Sequence, residues 1–164
     1  ATVARKAAGI GMEVAAFDPF LPAAASGRMS VPMKPLDELL AWADIITLHI
    51  PRTKETTNII GEAQMRKMRK GAYLINAARG GIVNEDALCR ALRQRKIAGA
   101  ALDVVEDEPP GKNHPLFQLD NVILTPHIGA LTFEASKRGE WGAAEEVIRV
   151  LEGKKPKNPV GEGA

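Results

Sequence analysis

Apolar runs alternate with helix-like segments along this chain, and a polar loop follows almost every run. The apolar runs predict strands over residues 12–17, 44–50, 71–76, 97–104 and 122–125. Apolar residues at helical spacing predict helices over residues 1–8, 36–43, 62–69 and about 131–151, and one that begins after Asn84. Strands that alternate with helices predict a parallel sheet with right-handed crossovers, so the fold class is α/β.

The first 18 residues match the beginning of a dinucleotide-binding fold in part. A helix runs to the stop signal 9–11, a strand follows, and Asp18 ends that strand. In a Rossmann-like, doubly wound sheet, a strand and a glycine-rich turn precede such a helix, and an acidic residue binds the ribose of NAD. The helix and the acid are present here, whereas the first strand and the turn are lacking. We therefore expect a Rossmann-like domain within an incomplete polypeptide, over residues 1–152, followed by a tail or linker over 153–164.

Asp18 also indicates which cofactor is preferred. A carboxylate at this position accepts hydrogen bonds from ribose hydroxyls and repels a 2′-phosphate, so we expect NAD rather than NADP. No arginine follows Asp18 directly. The alternative is an ordinary aspartate in a turn at the end of a strand.

Composition excludes little by itself. The 164 residues suffice for one domain, and 45% hydrophobic and 26% charged residues are ordinary values for a globular protein. The net charge is +2, no basic stripe interleaved with aromatics occurs, and no apolar run approaches the roughly 20 residues that span a bilayer. We expect no nucleic-acid partner, no membrane and no metal. The single Cys89 lies in a helical pattern, is interpreted as a buried apolar residue, and fits a reducing, cytoplasmic location.

Three charged residues occupy three separate loops, each just after a predicted strand. Arg79 lies in residues 76–84 (NAARGGIVN), Glu108 in 103–110 (DVVEDEPP) and His127 in 125–130 (TPHIGA). Ligands of open α/β sheets bind beyond the carboxyl ends of the strands. There, an arginine can grip a carboxylate, a histidine can move a proton, and a carboxylate can tune that histidine. This set suits an anionic carbonyl substrate.

Each of the three residues also has a structural interpretation. An arginine can pair with a structural carboxylate, a histidine can fix a turn, and the acidic loop can simply be solvated. His49, placed within a strand, and His114, in a proline-containing loop, are given no chemical role.

The three stretches resemble the motifs of the D-isomer-specific 2-hydroxyacid dehydrogenases, and the similarity covers nearly the whole chain. The resemblance implies that Arg79 binds the 2-keto acid and that His127 is the acid–base. It also implies that the catalytic carboxylate directly precedes the prolines, which selects Glu108 over Glu106 and Asp107.

The same resemblance implies further cofactor contacts. Asp103 would hold the nicotinamide carboxamide, although an aspartate that caps a turn is an equal alternative. Arg79 and His127 would also lie beside the cofactor, and the remaining contacts would come from small or apolar residues that equally suit tight packing: Ile50, Ala77, Ala78, Gly129 and Ala130.

The expected function is hydride transfer between NAD(H) and a small D-2-hydroxy acid or 2-keto acid, in a homodimer. We expect these 164 residues alone to be nearly inactive, because misplaced catalytic groups cost orders of magnitude in rate. The alternative from another class is an NAD-sensing binding protein or a corepressor-like scaffold with the same fold.

Overall fold

The structure is a computed structural model that describes residues 2–19 and 31–159. It divides into two compact units, Ala1–Pro126 and His127–Ala164. Most of the connecting loop predicted over residues 20–35, and the last five residues of the predicted tail, lie outside the described residues. Within the described ranges, no helix combines the length and the hydropathy needed to cross a membrane.

A four-stranded parallel sheet forms the centre of the first unit. Its strands are β1 (Ile45–Leu48), β2 (Tyr73–Asn76), β3 (Gly99–Leu102) and β4 (Val122–Leu124), adjacent in that order. The first unit also contains the helices α1 (Thr2–Gly9), α2 (Leu36–Trp42), α3 (Glu62–Lys67) and α4 (Glu85–Arg93), and a 3₁₀ turn over Pro115–Gln118. A run of adjacent parallel strands with helical crossovers is what one half of a doubly wound sheet shows. The predicted α/β, Rossmann-like class is confirmed.

The hydrophobic core lies between one face of this sheet and helices α2 to α4. Alternate residues of β1 are buried, as expected for a strand that presents one face to a core. Consecutive helices pack against each other, α2 on α3 and α3 on α4. The largest fully buried side chains are Leu40, Met65, Met68, Leu74, Ile82, Leu88, Leu92, Ile97 and Leu116.

Helix α4 begins and ends as charge and capping predict. The Asn84 side chain accepts a hydrogen bond from the Ala87 amide at 2.9 Å, and the first turn is acidic. The basic residues of the last turn are Arg90 and Arg93. Arg95 has a φ of 51° and lies beyond the helix.

The strand predicted over residues 12–17 is wrong. This segment forms only one bridge, between Ala16 and Met33, with two backbone hydrogen bonds to Pro32 and Lys34. The ladder does not extend toward residue 12, since Pro32 has no amide hydrogen to donate the next bond.

Strand β1 is shorter than predicted: it ends at Leu48, so that His49 and Ile50 lie beyond it. Its partner β2 turns away after Asn76, which leaves these two residues without a strand to pair with.

The second unit contains one long helix, α5 (Phe133–Leu151). Thr132 caps it by accepting a hydrogen bond from the Ala135 amide at 3.1 Å. Gly153 ends it with a φ of 72°, a conformation that glycine adopts without steric cost. The predicted helix is confirmed.

Candidate active site at the carboxyl edge of the sheet

The carboxyl ends of the four strands form one edge of the sheet. Leu48 pairs with Asn76, Asn76 with Leu102, and Leu102 with Leu124. One step further, the Asp103 amide donates to the Asn76 carbonyl at 2.9 Å. The loops that carry Arg79 and Glu108 therefore leave the sheet at the same edge, as the sequence predicts.

Asn76 shapes the loop that carries Arg79. Its side chain is buried, with 2% exposed. The side-chain amide donates to the Arg79 carbonyl at 2.9 Å, and its oxygen accepts from the Ala78 amide at 3.1 Å. Both polar groups of a buried amide are thus satisfied by the turn that follows it. The sequence interpretation gave Asn76 no role, although a polar residue at the end of a buried strand was a usable signal.

The Arg79 side chain is exposed, and Nη1 donates to the Ala78 carbonyl at 2.7 Å. Among residues 2–19 and 31–159, no carboxylate forms an ion pair with it. The structural alternative, an arginine neutralised by a carboxylate of the fold, therefore does not hold within these residues. A guanidinium with donors to spare is suited to bind an anion with two parallel hydrogen bonds.

Gly80 lets this loop approach the loop after β3. A Cβ atom on Gly80 would lie 1.8 Å from the Val105 carbonyl oxygen and 3.0 Å from the Glu106 Cα. The Val105 amide in turn donates to Oε1 of Glu108 at 3.1 Å. The Val105 peptide groups thus join the two loops, and the structure brings the Arg79 and Glu108 segments together within the first unit.

The acidic loop places its three carboxylates differently. Glu106 lies 3.7 Å from Nη2 of Arg52, and its amide donates to Oε1 of Glu85 at 2.6 Å. The Glu108 carboxylate accepts a hydrogen bond from the Val105 amide, and the Glu108–Pro109 peptide bond is cis. Asp107 is exposed. Of the three, Glu108 is the one whose carboxylate folds back onto the loop that Gly80 contacts.

An open pocket of about 300 Å³ lies at this edge, at the lower end of the usual size of ligand sites. The residues that line it are His49, Ile50, Pro51, Ala77, Ala78 and Arg79. Four of them were predicted as site residues from the sequence. His49 was not, because it was placed inside a strand. It lies past the end of β1, with Nε2 3.1 Å from the Thr47 hydroxyl.

Asp103 and Asp18, which were also predicted to contact the cofactor, lie in different segments of the first unit. Asp103 is the first residue after β3, and its carboxylate accepts a hydrogen bond from the Thr125 hydroxyl. Asp18 is partly buried and lies in the extended segment after α1.

Three predicted residues, His127, Gly129 and Ala130, belong to the second unit and are exposed. His127 is its first residue and has a φ of 53°, which is uncommon for a residue other than glycine.

His114 and Cys89 have structural roles. Nδ1 of His114 accepts from the Leu116 amide at 3.4 Å, so Nε2 carries the proton that it donates to Glu85 at 3.1 Å. Cys89 is buried, and this burial raises the pKa of its thiol. A protonated, buried thiol is a poor nucleophile.

Several known proteins are similar to this chain in sequence. Residues 1–129 match the model of the family described as D-isomer specific 2-hydroxyacid dehydrogenase, NAD binding domain. Over 158 residues the chain is 45% identical to a D-3-phosphoglycerate dehydrogenase of Archaeoglobus fulgidus, covering 96% of this chain and 30% of that protein. Over 121 residues it is 53% identical to a glyoxylate reductase of Thermofilum pendens, covering 74% of this chain and 36% of that one.

A solved structure gives the same result for the fold. The D-isomer specific 2-hydroxyacid dehydrogenase from Lactobacillus delbrueckii ssp. bulgaricus, in its NAD-complexed form, superimposes with a TM-score of 0.87 at 31% identity. The match covers 98% of this chain and 52% of that one. The chain thus spans about a third of the two sequence relatives and half of this structural one. It belongs to the D-isomer specific 2-hydroxyacid dehydrogenase family, within which it matches the NAD-binding domain.

Proposed function

We propose that this chain is the cofactor-binding part of an oxidoreductase that transfers a hydride between NAD(H) and a small D-2-hydroxy acid or 2-keto acid. The observation that carries the proposal is Arg79 in the pocket at the carboxyl edge of the sheet, where it has no carboxylate partner among the described residues. An anionic substrate supplies such a partner. Two relatives, a D-3-phosphoglycerate dehydrogenase and a glyoxylate reductase, are named for anions of this kind.

The residues present are compatible with a dinucleotide. Ile50, Ala77 and Ala78 line the pocket with apolar or small side chains, which leave space for a ligand against the backbone. Asp103, just past β3, would hold the carboxamide and Asp18 the ribose, with further contacts from Gly129 and Ala130. When NAD is bound, it supplies the hydride acceptor. The absence of an arginine directly after Asp18 favours NAD over NADP.

The chemical steps are assigned to three side chains. Arg79 would bind the substrate carboxylate and polarise the neighbouring carbonyl. His127 would take the hydroxyl proton during oxidation and return it during reduction. Glu108 would raise the basicity of the imidazole and fix its tautomer. The Val105 amide supports this role, because it already orients the Glu108 carboxylate.

A homodimer and a cytoplasmic location complete the proposal. Helix α5 exposes large apolar side chains, among them Phe133 (81%), Trp141 (63%) and Leu151 (81%), which a second copy could cover. The buried thiol of Cys89 fits a reducing compartment. Light scattering on the native polypeptide would give its subunit number.

The test is an assay of NADH oxidation with glyoxylate, pyruvate and 3-phosphohydroxypyruvate. It uses the native polypeptide, by which we mean the full-length natural protein that contains these 164 residues. We expect saturable oxidation with at least one of these 2-keto acids, and much slower turnover with NADPH. If the protein binds NADH tightly but turns over none of them, the alternative of an NAD-sensing binding protein replaces the enzyme.

A further inference from the structure

Two neighbours lie against the loop that carries Arg79. The Val105 backbone lies against Gly80. The Arg52 side chain lies against Gly81: a Cβ atom there would be 2.6 Å from Cζ of Arg52. Gly81 has a φ of 74°, a conformation that favours glycine. Arg52 therefore covers the backbone two residues after Arg79.

Arg52 also reaches the loop after β3. Its Nη2 lies 3.7 Å from Oε1 of Glu106, so one side chain connects the loops that follow β1 and β3 and passes over the loop that follows β2. The far end of this connection is held in place. The Glu106 amide donates to Glu85, and Glu85 pairs with His114, whose side chain is 15% exposed.

We propose that Arg52 is a positioning residue, which with Glu106 forms a strap that holds the Gly80–Gly81 backbone and, through it, Arg79. The effect of the strap on catalysis rests on the proposed function. Its effect on the loop does not. The two side chains are 44% and 45% exposed, and an ion pair so exposed adds little to global stability. Loss of the strap should therefore loosen the loop without unfolding the protein.

The direct test is amide hydrogen exchange at Asn58, whose N–H donates to the Gly81 carbonyl at 2.8 Å. Arg52→Gln and Glu106→Gln should each speed exchange at Asn58 by about tenfold, because local opening releases this bond. The double variant should add little to either single one, since both remove the same contact. The control is Arg95→Gln, which removes another exposed ion pair, with Asp120 at 2.9 Å. It should leave Asn58 unchanged.

Unchanged exchange at Asn58 in both single variants would overturn the strap, as would fully additive changes in the double variant. A second readout joins the strap to the site: Arg52→Gln should lower kcat/KM for the 2-keto acid by about tenfold at a nearly constant melting temperature, and Arg52→Lys should recover part of the loss. Exchange is measured without substrate, so failure of the proposed function would leave that test intact.

Discussion

Gly80→Ala should lower the free energy of unfolding by about 3 kcal/mol, at the upper end of overpacking effects. The new methyl group would lie 1.8 Å from the Val105 carbonyl oxygen and 2.4 Å from its carbon. Both are backbone atoms, which cannot rotate away as the end of a side chain can. The two loops would have to separate, and with them the segments that carry Arg79 and Glu108. Urea denaturation of the native polypeptide measures the effect.

Gly111→Ala is the matched control for this change. Gly111 lies in the same unit, has no positive φ, and has no atom within 4 Å of the position that the new methyl group would take. Its stability should stay within about 0.5 kcal/mol of the wild type, as for most surface substitutions. If Gly80→Ala proved as stable as Gly111→Ala, the close approach of the two loops would be wrong.

His127→Asn should lower kcat/KM for the 2-keto acid by about 10²- to 10⁴-fold, the usual contribution of a general acid–base. Asparagine is chosen because it also tolerates a positive φ, and His127 has a φ of 53°. The backbone should therefore keep its conformation. Initial rates of NADH oxidation give the result.

His114→Asn separates this effect from a general sensitivity to histidine loss. His114 pairs with Glu85 at 3.1 Å and caps a 3₁₀ turn, so its replacement should cost stability. Because Glu85 also binds the Glu106 amide, the rate should fall by at most the roughly tenfold expected for Arg52→Gln, well short of the loss expected for His127→Asn. Equal losses of rate in the two variants would remove the acid–base role from His127.

The parallel sheet could be predicted because its strands are apolar runs separated by helical patterns and capping residues such as Asn84. The edge at which the loops meet could be predicted for the same reason, since parallel strands present their carboxyl ends together. The strand over residues 12–17 failed because apolar periodicity shows what a segment could bury. It does not show how many backbone hydrogen bonds a neighbouring segment forms with it, and here only a single bridge forms.

The contacts that hold the site could not be predicted. The approach of Gly80 to Val105 joins residues 25 positions apart, and a glycine pair in a loop has many explanations. The pairing of Arg52 with Glu106 could not be predicted either, since in the sequence each is an ordinary surface charge. The structural role of Asn76 could have been predicted, because a buried side-chain amide at the end of a strand needs hydrogen-bond partners.

The most direct test of the central claim is the specificity constant for the 2-keto acid in Arg79→Gln and Arg79→Lys, measured on the native polypeptide. If Arg79 binds the substrate carboxylate at the carboxyl edge of the sheet, glutamine should lower kcat/KM by about 10²- to 10³-fold. The kcat/KM of Arg79→Lys should lie between that of Arg79→Gln and that of the wild type, because lysine keeps the charge and loses the paired hydrogen bonds. A specificity constant within about threefold of the wild type in both variants would contradict the account. So small a change is less than the loss of a charge-assisted hydrogen bond to the carboxylate should cause.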